Sequence, residues 1–343
     1  MDETDDPATD GGVVGALEEH LLGQAPYLSQ RQVAERAGVP LETANELWHL
    51  LGFAHVPDDA VAFTDADVEA LRLTNDLITL GVLSAERQEG LVRTWGRSFA
   101  RLADWQVALL ADVASDLGTD PTAGLLAISD EAMPRVERLQ SYVWRRHLLS
   151  ASTRLLTESS GGPSATLAVC FIDIVGYTSR SRTLSDRELV NWLESFESAA
   201  LELTVDRGGR IIKNIGDELL IVADSPAAMA GIALELTARG ADPDDPFPAV
   251  RAGIAYGEVV TRLGDVFGPV VNIAARLTSV ARPSTVLVDL GTYEALSGRS
   301  GEQDDTDDEP GEGGYRFRRL RRVSVKGYSR LRVWALQESP VQR

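Results

Sequence analysis

The chain contains little cysteine, little lysine and no long apolar run. Its single cysteine, Cys170, excludes an intramolecular disulfide and a cysteine-rich metal site, and it favours a reducing compartment. No apolar stretch reaches the roughly 18 residues that a membrane-spanning helix needs. The amino terminus, MDETDDPATDGG, is acidic and has no apolar core, unlike a secretory signal. We therefore expect a cytoplasmic protein without a membrane span.

Acidic residues outnumber basic residues, and this balance limits the kinds of molecule that the protein is expected to bind. The chain has 52 Asp and Glu against 33 Lys and Arg, a net charge of −19. Residues 1–150 carry 25 acids against 11 arginines, and residues 151–343 carry 27 acids against 22 bases. Phosphate backbones and anionic lipid surfaces attract basic proteins. We therefore expect no nucleic-acid partner.

Lysine is the scarcest of the charged side chains. Only Lys213 and Lys326 occur among the 33 basic residues. A genome rich in arginine codons explains the shortage, but it does not explain the two positions that keep lysine. Because an ammonium group is a compact point charge that a guanidinium does not replace, both lysines become candidates for chemistry.

The spacing of the apolar residues along the sequence changes once, and this change divides the chain into two blocks. Residues 1–12 are predicted to be a disordered acidic tail, residues 13–158 a helical domain and residues 159–165, SSGGPSA, a linker. Apolar spacings of three and four residues predict helices over Ala66–Leu80, Glu86–Leu102, Ala103–Leu117 and about Glu131–Leu156, with a break at Gly118–Pro121.

The second block, residues 166–338, alternates strands with helices. Strands are predicted at Thr166–Ile172, Arg210–Ile215, Leu219–Ala223, Ala249–Ala255, Val259–Leu263, Val286–Asp289, 315–322 and 330–336, with hairpins about Gly216 and Gly257. Helices are predicted at Leu184–Leu203, Ala227–Ala238 and Pro269–Val280. An acidic loop is predicted at 302–314. This order predicts an α+β sandwich with helices over a mostly antiparallel sheet.

Two aspartates are expected to meet at one edge of this sheet. Asp173 closes a buried strand in the segment FIDIVGYT, and Asp217 lies in the hairpin segment RIIKNIGDE. A right-handed crossover makes the two strands run in the same direction, which places both carboxylates at the same edge. Paired carboxylates bind Mg²⁺ together with substrate phosphates. The alternative is that both acids are solvated turn residues.

A third segment, GDVFGPVVNIAAR, contains Asn272 and Arg276. These residues are four apart on a predicted helix and therefore share one face. Such a pair alone is typical of any solvated helix surface.

Together these segments resemble the catalytic domain of class III nucleotidyl cyclases, the adenylyl and guanylyl cyclases. The resemblance runs from about residue 163 to 338 through FIDIVGYT, IIKNIGDELLIV, VRAGIAYGEVV, GDVFGPVVNIAARL and VSVKG. It implies a ferredoxin-like sandwich, a homodimer with active sites at the subunit interface, and two Mg²⁺ or Mn²⁺ ions per site. It also implies site residues: Asp173, Asp217 and Ile174 for metal, Lys213 and Asp265 for purine, Asn272 and Arg276 for catalysis, and Arg251, Lys326, Gly176 and Thr178 for the rest of the substrate.

The residues in the purine positions favour ATP over GTP. Adenine offers an acceptor at N1 and a donor at N6, which suit a donating Lys213 and an accepting Asp265. Guanine presents the reverse pattern and leaves both groups mispaired. The sequence therefore predicts an adenylyl cyclase that forms cyclic AMP and pyrophosphate. A nucleotide-binding regulator without turnover is the alternative.

The amino-terminal block leaves a third function open. The segment SQRQVAERAGV followed by LETANELWHLL is similar to a helix-turn-helix, as in MerR-type regulators, which would suit a DNA-binding regulator with a cyclase-like sensor. Its second helix, however, carries Glu42 and Glu46 and no basic residue, and these acids repel phosphate.

Among cyclases, this block resembles the regulatory domain of the soluble actinobacterial type, which is autoinhibitory and responds to pH. The predicted helix that ends the domain would couple it to the catalytic domain. All four histidines, His20, His49, His55 and His147, lie in residues 1–147. Histidine titrates near pH 6.5, so a proton-dependent switch would lie here. His147 follows Arg145 and Arg146 close to the linker and is the strongest candidate, although four histidines are an ordinary number.

Overall fold

A computed structural model describes residues 15, 17–81, 85–116, 121–157, 164–299, 314–320 and 331–339. The chain divides into two compact units, Met1–Thr157 and Glu158–Arg343. The predicted tail 1–12, residues 159–163 of the predicted linker, residues 302–313 of the predicted acidic loop and Lys326 lie outside the described residues.

Among its described residues, the first unit is helical apart from one short β-ladder. In chain order its elements are β1 (Leu28–Ser29), α1 (Gln30–Ala37), α2 (Leu41–Leu51), β2 (Val61–Phe63), α3 (Asp65–Thr79), α4 (Ala85–Asp116) and α5 (Pro121–Thr157). The prediction of two helices over residues 86–117 is wrong, because α4 is continuous. Neither glycine nor proline stands at the expected boundary to interrupt its hydrogen bonds.

The helix-turn-helix segment folds as its sequence indicates. Ser29 caps α1, and its side chain accepts a hydrogen bond from the Gln32 amide while the Gln32 side chain accepts one from the Ser29 amide. Gly38 adopts a positive φ of 71° and turns the chain into α2. Trp48 of α2 packs on Phe63, with ring centroids 4.8 Å apart. A local core therefore holds this segment together.

The second unit is a mixed sheet with helices on both faces. In chain order its elements are β3 (Ser164–Ile174), α6 (Tyr177–Ser181), α7 (Asp186–Asp206), β4 (Gly209–Ile215), β5 (Glu218–Ala223), α8 (Pro226–Arg239), β6 (Val250–Arg262), β7 (Asp265–Phe267), α9 (Pro269–Val280), β8 (Val286–Val288), α10 (Leu290–Ser297), β9 (Tyr315–Leu320) and β10 (Val333–Glu338). The strand order is β4-β5-β3-β6-β8-β10-β9, with β7 paired to β6.

Strand directions agree with the predicted sandwich. All of these pairs are antiparallel except β6 with β8. Because β3 and β4 are both antiparallel to the β5 strand between them, they run in the same direction, as predicted. The helices α6 and α10 were not predicted, since each spans at most eight residues and shows little period.

Both faces of the sheet are covered, and β3 is buried on each. Ala168, Cys170 and Ile172 point into a core that α7, α8 and α10 complete. Leu167, Val169 and Phe171 point the other way, into a core completed by α9. The hydroxyl of Thr278 on α9 donates to the Phe171 carbonyl at 3.1 Å, which fixes α9 against β3. The helix carrying Asn272 and Arg276 is therefore anchored to the strand carrying Asp173.

The predicted hairpin about Gly257 is wrong. The chain continues straight through Gly257 as the single strand β6, because β3 pairs with it from Ser164 opposite Val260 to Ile174 opposite Val250. The turn lies later, at Leu263 and Gly264, whose φ values are 53° and 77°. It brings Asp265 back onto β6 opposite Arg262.

No helix among the described residues combines the length and apolar character needed to cross a bilayer.

Gly253 allows the closest approach between α9 and the sheet. A Cβ atom there would lie 2.4 Å from the Thr278 nitrogen and 2.6 Å from the Ala274 carbonyl oxygen. We predict that Gly253→Ala lowers the free energy of unfolding by about 2 kcal/mol, since it forces the backbone of α9 outward. Gly257→Ala is the control, because its nearest neighbour is the movable Val270 side chain at 3.1 Å. Denaturant unfolding measures both; equal losses would contradict the prediction.

Candidate active site

A row of charged side chains crosses three neighbouring strands. Asp173, next to last in β3, is paired with Glu218 of β5 on one side and with Arg251 of β6 on the other. The Arg251 Nε donates to Asp173 Oδ2 at 2.6 Å, and Nη2 lies 2.5 Å from the same oxygen. Arg251 Nη1 also donates to the Ser279 carbonyl at 3.4 Å. The row therefore joins the sheet edge to the carboxyl-terminal turn of α9.

Asp217 lies beside this row, in the turn between β4 and β5. Gly216, with a φ of 66°, allows the turn, and the Ile174 amide donates to the Asp217 carbonyl at 3.2 Å. The two predicted metal residues, Asp173 and Asp217, are thus brought to the same sheet edge. Partial burial raises the pKa of the Asp217 carboxyl, and the Asp173 charge raises it further.

Glu218 is a member of the site that the sequence did not single out. Burial raises its pKa to about 7, with further increases from Asp173 and Asp217 that Arg251 only partly offsets. The alternation of side chains along a strand is the sequence feature that could have identified Glu218 as a site residue. Leu220 and Val222 of β5 are buried in the same core as Phe171, so Glu218 belongs to the face that carries Asp173.

The oxygen donors at this edge fit a divalent cation. Asp173 and Asp217 supply carboxylates, and Ile174, whose side chain is buried in the core, can offer only its backbone carbonyl. The charges of Asp173, Asp217 and Arg251 all act on Glu218, so three acids are grouped with one guanidinium and negative charge is left to be balanced. Within the described residues, no three His, Cys, Asp or Glu side chains are arranged to hold a metal. A cation here would be held by few protein groups, as is usual for Mg²⁺ beside phosphates.

Lys213 and Asp265 form the second polar feature. They are separated by 52 residues, yet Lys213 Nζ lies 2.5 Å from Asp265 Oδ2. Lys213 projects from β4, and the turn at Leu263 and Gly264 carries Asp265 toward it. The other Asp265 oxygen accepts the Val266 amide at 2.8 Å, which fixes the carboxylate. The predicted pair is thus assembled, with a donor and an acceptor side by side.

Asn272 and Arg276 are both exposed on α9. Gly268, with a φ of 128°, precedes the helix and Pro269 occupies its first turn. Ala274 and Leu277 are buried on the opposite side of α9, so the two polar side chains point away from the sheet.

The remaining predicted substrate residues are Gly176, Thr178 and Lys326. Gly176 has a φ of 76° and starts the short helix α6, in which Thr178 is exposed. Lys326 lies outside the described residues, so its predicted phosphate contact stays a prediction.

Comparison with known proteins places this site in a family context. The family described as the adenylate and guanylate cyclase catalytic domain matches residues 162–338. An adenylate cyclase of Glutamicibacter nicotianae is 39% identical over 303 residues, covering 82% of this chain and 75% of that protein. An adenylate cyclase of Streptomyces coelicolor is 38% identical over 285 residues, with coverages of 82% and 74%.

The chain is also similar to a third relative and to a solved structure. A pH-sensitive adenylate cyclase of Mycobacterium tuberculosis is 32% identical over 291 residues, covering 81% of this chain and 72% of that protein. Among solved structures, the guanylate cyclase domain of RhGC from Catenaria anguillulae, in complex with GTP, aligns with 52% of this chain and 100% of that chain. Its identity is 19% and its TM-score 0.44.

The raised pKa of Glu218 predicts how stability depends on pH without cations. Because the pKa is about 7 in the folded protein against an ordinary 4.5, the group favours folding below pH 4.5, and this contribution is lost as the pH rises through 7. In buffer that contains a chelator, the melting temperature of the wild type therefore falls from pH 5 to pH 8. The melting temperature of Glu218→Gln falls less over the same range. Glu194→Gln, at an exposed position of α7, is the control and leaves the slope unchanged. An identical slope in all three proteins would contradict the pKa assignment.

Proposed function

Because the chain belongs to the family of adenylate and guanylate cyclase catalytic domains, we propose that it converts ATP to 3′,5′-cyclic AMP and pyrophosphate with two divalent cations at a homodimer interface. The observation that carries this proposal is the contact between Lys213 and Asp265, a donor and an acceptor brought together from positions 52 residues apart. The family match covers residues 162–338, and relatives named adenylate cyclase align with most of the chain.

The preference for ATP rests on the chemistry of the Lys213 and Asp265 pair. The lysine donates to adenine N1 and the aspartate accepts from adenine N6, so substrate replaces their mutual hydrogen bond with two bonds of the same kind. Guanine offers a donor to the lysine and an acceptor to the aspartate, which leaves both groups unsatisfied. The pair therefore selects the adenine base.

The reaction is an attack of the ribose 3′-oxygen on the α-phosphorus, with pyrophosphate as the leaving group. Asp173 and Asp217 would hold the cations, which would neutralise the triphosphate and lower the pKa of the 3′-hydroxyl, whose proton passes to water. Asn272 orients the ribose, and Arg276 stabilises the charge that develops on the α-phosphate. Arg251 and Lys326 bind the departing phosphates. The protein thus contributes positioning and electrostatics, and no covalent intermediate is needed.

A homodimer is supported by two properties of the catalytic unit. Lys213 and Asp217 are four residues apart on one hairpin, although one reads the base and the other holds metal at the far end of the triphosphate. A symmetric dimer resolves this by letting each serve a different site. In addition, Ile215, Leu263 and Phe267 are 46%, 54% and 48% exposed around the Lys213 and Asp265 pair. Apolar side chains grouped in this way suit a protein interface.

Regulation by the amino-terminal unit, with pH as the signal, is the remaining part of the proposal. A pH-sensitive relative aligns with 81% of this chain. His147 is exposed on α5 and follows two exposed arginines, Arg145 and Arg146. Protonation would place three positive charges in a row and change how this helix packs.

The test of shared sites is complementation between inactive proteins. We expect wild type to form cyclic AMP from ATP and Mg²⁺, and Asp173→Ala, Asp217→Ala and Arg276→Ala each to lose most of this activity. A mixture of Asp217→Ala with Arg276→Ala forms mixed dimers in which one of two sites keeps every group. Random exchange then restores about a quarter of wild-type activity.

The matched control is a mixture of Asp173→Ala with Asp217→Ala. Both changes damage the metal half of a site, so no mixed dimer has an intact site and activity stays absent. If the mixture of Asp217→Ala with Arg276→Ala stays inactive despite proven subunit exchange, the shared-site proposal is wrong. ATP binding by wild type without cyclic AMP formation would favour the nucleotide-binding regulator instead.

The pH proposal is tested in the full chain. We expect His147→Gln to flatten the dependence of cyclic AMP formation on pH between 5 and 8, since glutamine cannot gain the proton. His55→Gln, at another exposed position of the same unit, should leave the profile unchanged. If His147→Gln has the profile of wild type, His147 is not the sensor.

A further inference from the structure

Two residues with different predicted ligands are bound to each other in this structure. The proposed function assigns Arg251 to phosphate and Asp173 to a cation. Two Arg251 nitrogens instead contact one Asp173 oxygen, Oδ2, at 2.6 and 2.5 Å. Both side chains are largely buried, with 33% of Arg251 and 15% of Asp173 exposed. The contact is therefore better shielded from water than an ordinary surface ion pair.

This contact makes the two binding events compete with it. A cation that binds Asp173 Oδ2 comes within a few ångströms of the guanidinium charge and is repelled by it. Conversely, a guanidinium that directs Nε and Nη2 to Asp173 cannot present the same edge to a phosphate. Asp173 Oδ2 and the Nε and Nη2 edge of Arg251 are available to other ligands only after the pair has opened.

We propose that Arg251 is a positioning residue of the cation site, which holds Asp173 until the phosphates of the nucleotide engage the guanidinium. Cation and triphosphate then bind cooperatively. The phosphates draw Arg251 away from Asp173, which frees Asp173 for the cation, and the cation displaces Arg251 from Asp173, which frees Arg251 for the phosphates. The coupling is reciprocal by thermodynamic linkage. This inference rests on the proposed function, since it takes from there the ligands of both residues.

The surroundings of the pair explain why an arginine is held there. The Asp173 charge raises the pKa of both Asp217 and Glu218, the Asp217 charge also raises that of Glu218, and Arg251 lowers both. Without a bound cation, the guanidinium reduces the repulsion among the three acids. When Arg251 turns to phosphate, this repulsion returns and draws a divalent cation to the carboxylates. The arginine thus stabilises the cation-free state and is released by substrate.

The experiment measures Mn²⁺ binding to the full chain without nucleotide, by electron paramagnetic resonance of free Mn²⁺ at pH 8. We expect Arg251→Gln to bind Mn²⁺ about tenfold more tightly than wild type, because the competing charge is gone. Arg187→Gln, at an exposed position of α7 on the opposite face of the sheet, is the matched control and leaves the affinity unchanged. A merely structural role for Arg251 would leave Mn²⁺ affinity unchanged or weaken it.

Thermal unfolding gives a second readout. Without cations, Arg251→Gln melts below wild type, and added Mn²⁺ raises its melting temperature by more than it raises that of wild type. Should Arg251→Gln fail to fold, Arg251→Met keeps the apolar stem of the side chain and also removes the charge, and its Mn²⁺ affinity should likewise exceed that of wild type. Mn²⁺ binding no tighter than wild type in the folded variants would overturn the coupling.

Asp173→Ala separates this failure from failure of the proposed function. If Asp173→Ala abolishes Mn²⁺ binding and Arg251→Gln does not tighten it, only the coupling is wrong. If Asp173→Ala leaves Mn²⁺ affinity unchanged, the metal assignment in the proposed function is wrong and the coupling falls with it.

Discussion

The pairing of β3 with β6 over eleven residues of β3 is the constraint on which the catalytic unit depends. Strand β3 is buried on both faces and hydrogen-bonded on both edges, so its register cannot slip without moving apolar side chains to the wrong face. That register places Asp173 opposite Arg251, and the pairing with β5 places it opposite Glu218. The core therefore determines which charges are neighbours.

Holding these charges together opposes folding. Burial and like charges raise the pKa of both Asp217 and Glu218, which means that their ionised forms are disfavoured where they stand. If these positions served stability alone, an apolar side chain would be more favourable there than an ionisable one. A site that attracts divalent cations gains from unbalanced negative charge, and the Arg251 contact with Asp173 offsets part of that charge in this structure.

The contact between Lys213 and Asp265 depends on the course of strand β6. Strand β6 extends beyond the residue that pairs with Ser164, the first residue of β3. It turns at Leu263 and Gly264, which returns Asp265 to the Lys213 side chain. Two groups that are 52 residues apart thereby form one donor and acceptor unit. Meanwhile Gly253 lets α9 approach the sheet closely enough to anchor Asn272 and Arg276 on the same face. The residues proposed to bind base, metal and ribose are thus positioned by strands β3 to β7 and helix α9.

The sequence by itself determined the ordered motifs, the strands that end at Asp173 and near Asp217, the common direction of β3 and β4, and the shared helix of Asn272 and Arg276. These follow from local period and from the handedness of crossovers, which depend on neighbouring residues and chirality. Only the tertiary structure decided the course of β6, since Gly257 resembles a turn locally but is held straight by pairing with β3. The same holds for Glu218 and for the Arg251 contact with Asp173. Cross-strand neighbours are fixed by register, and register is set by burial of the whole sheet rather than by any local pattern.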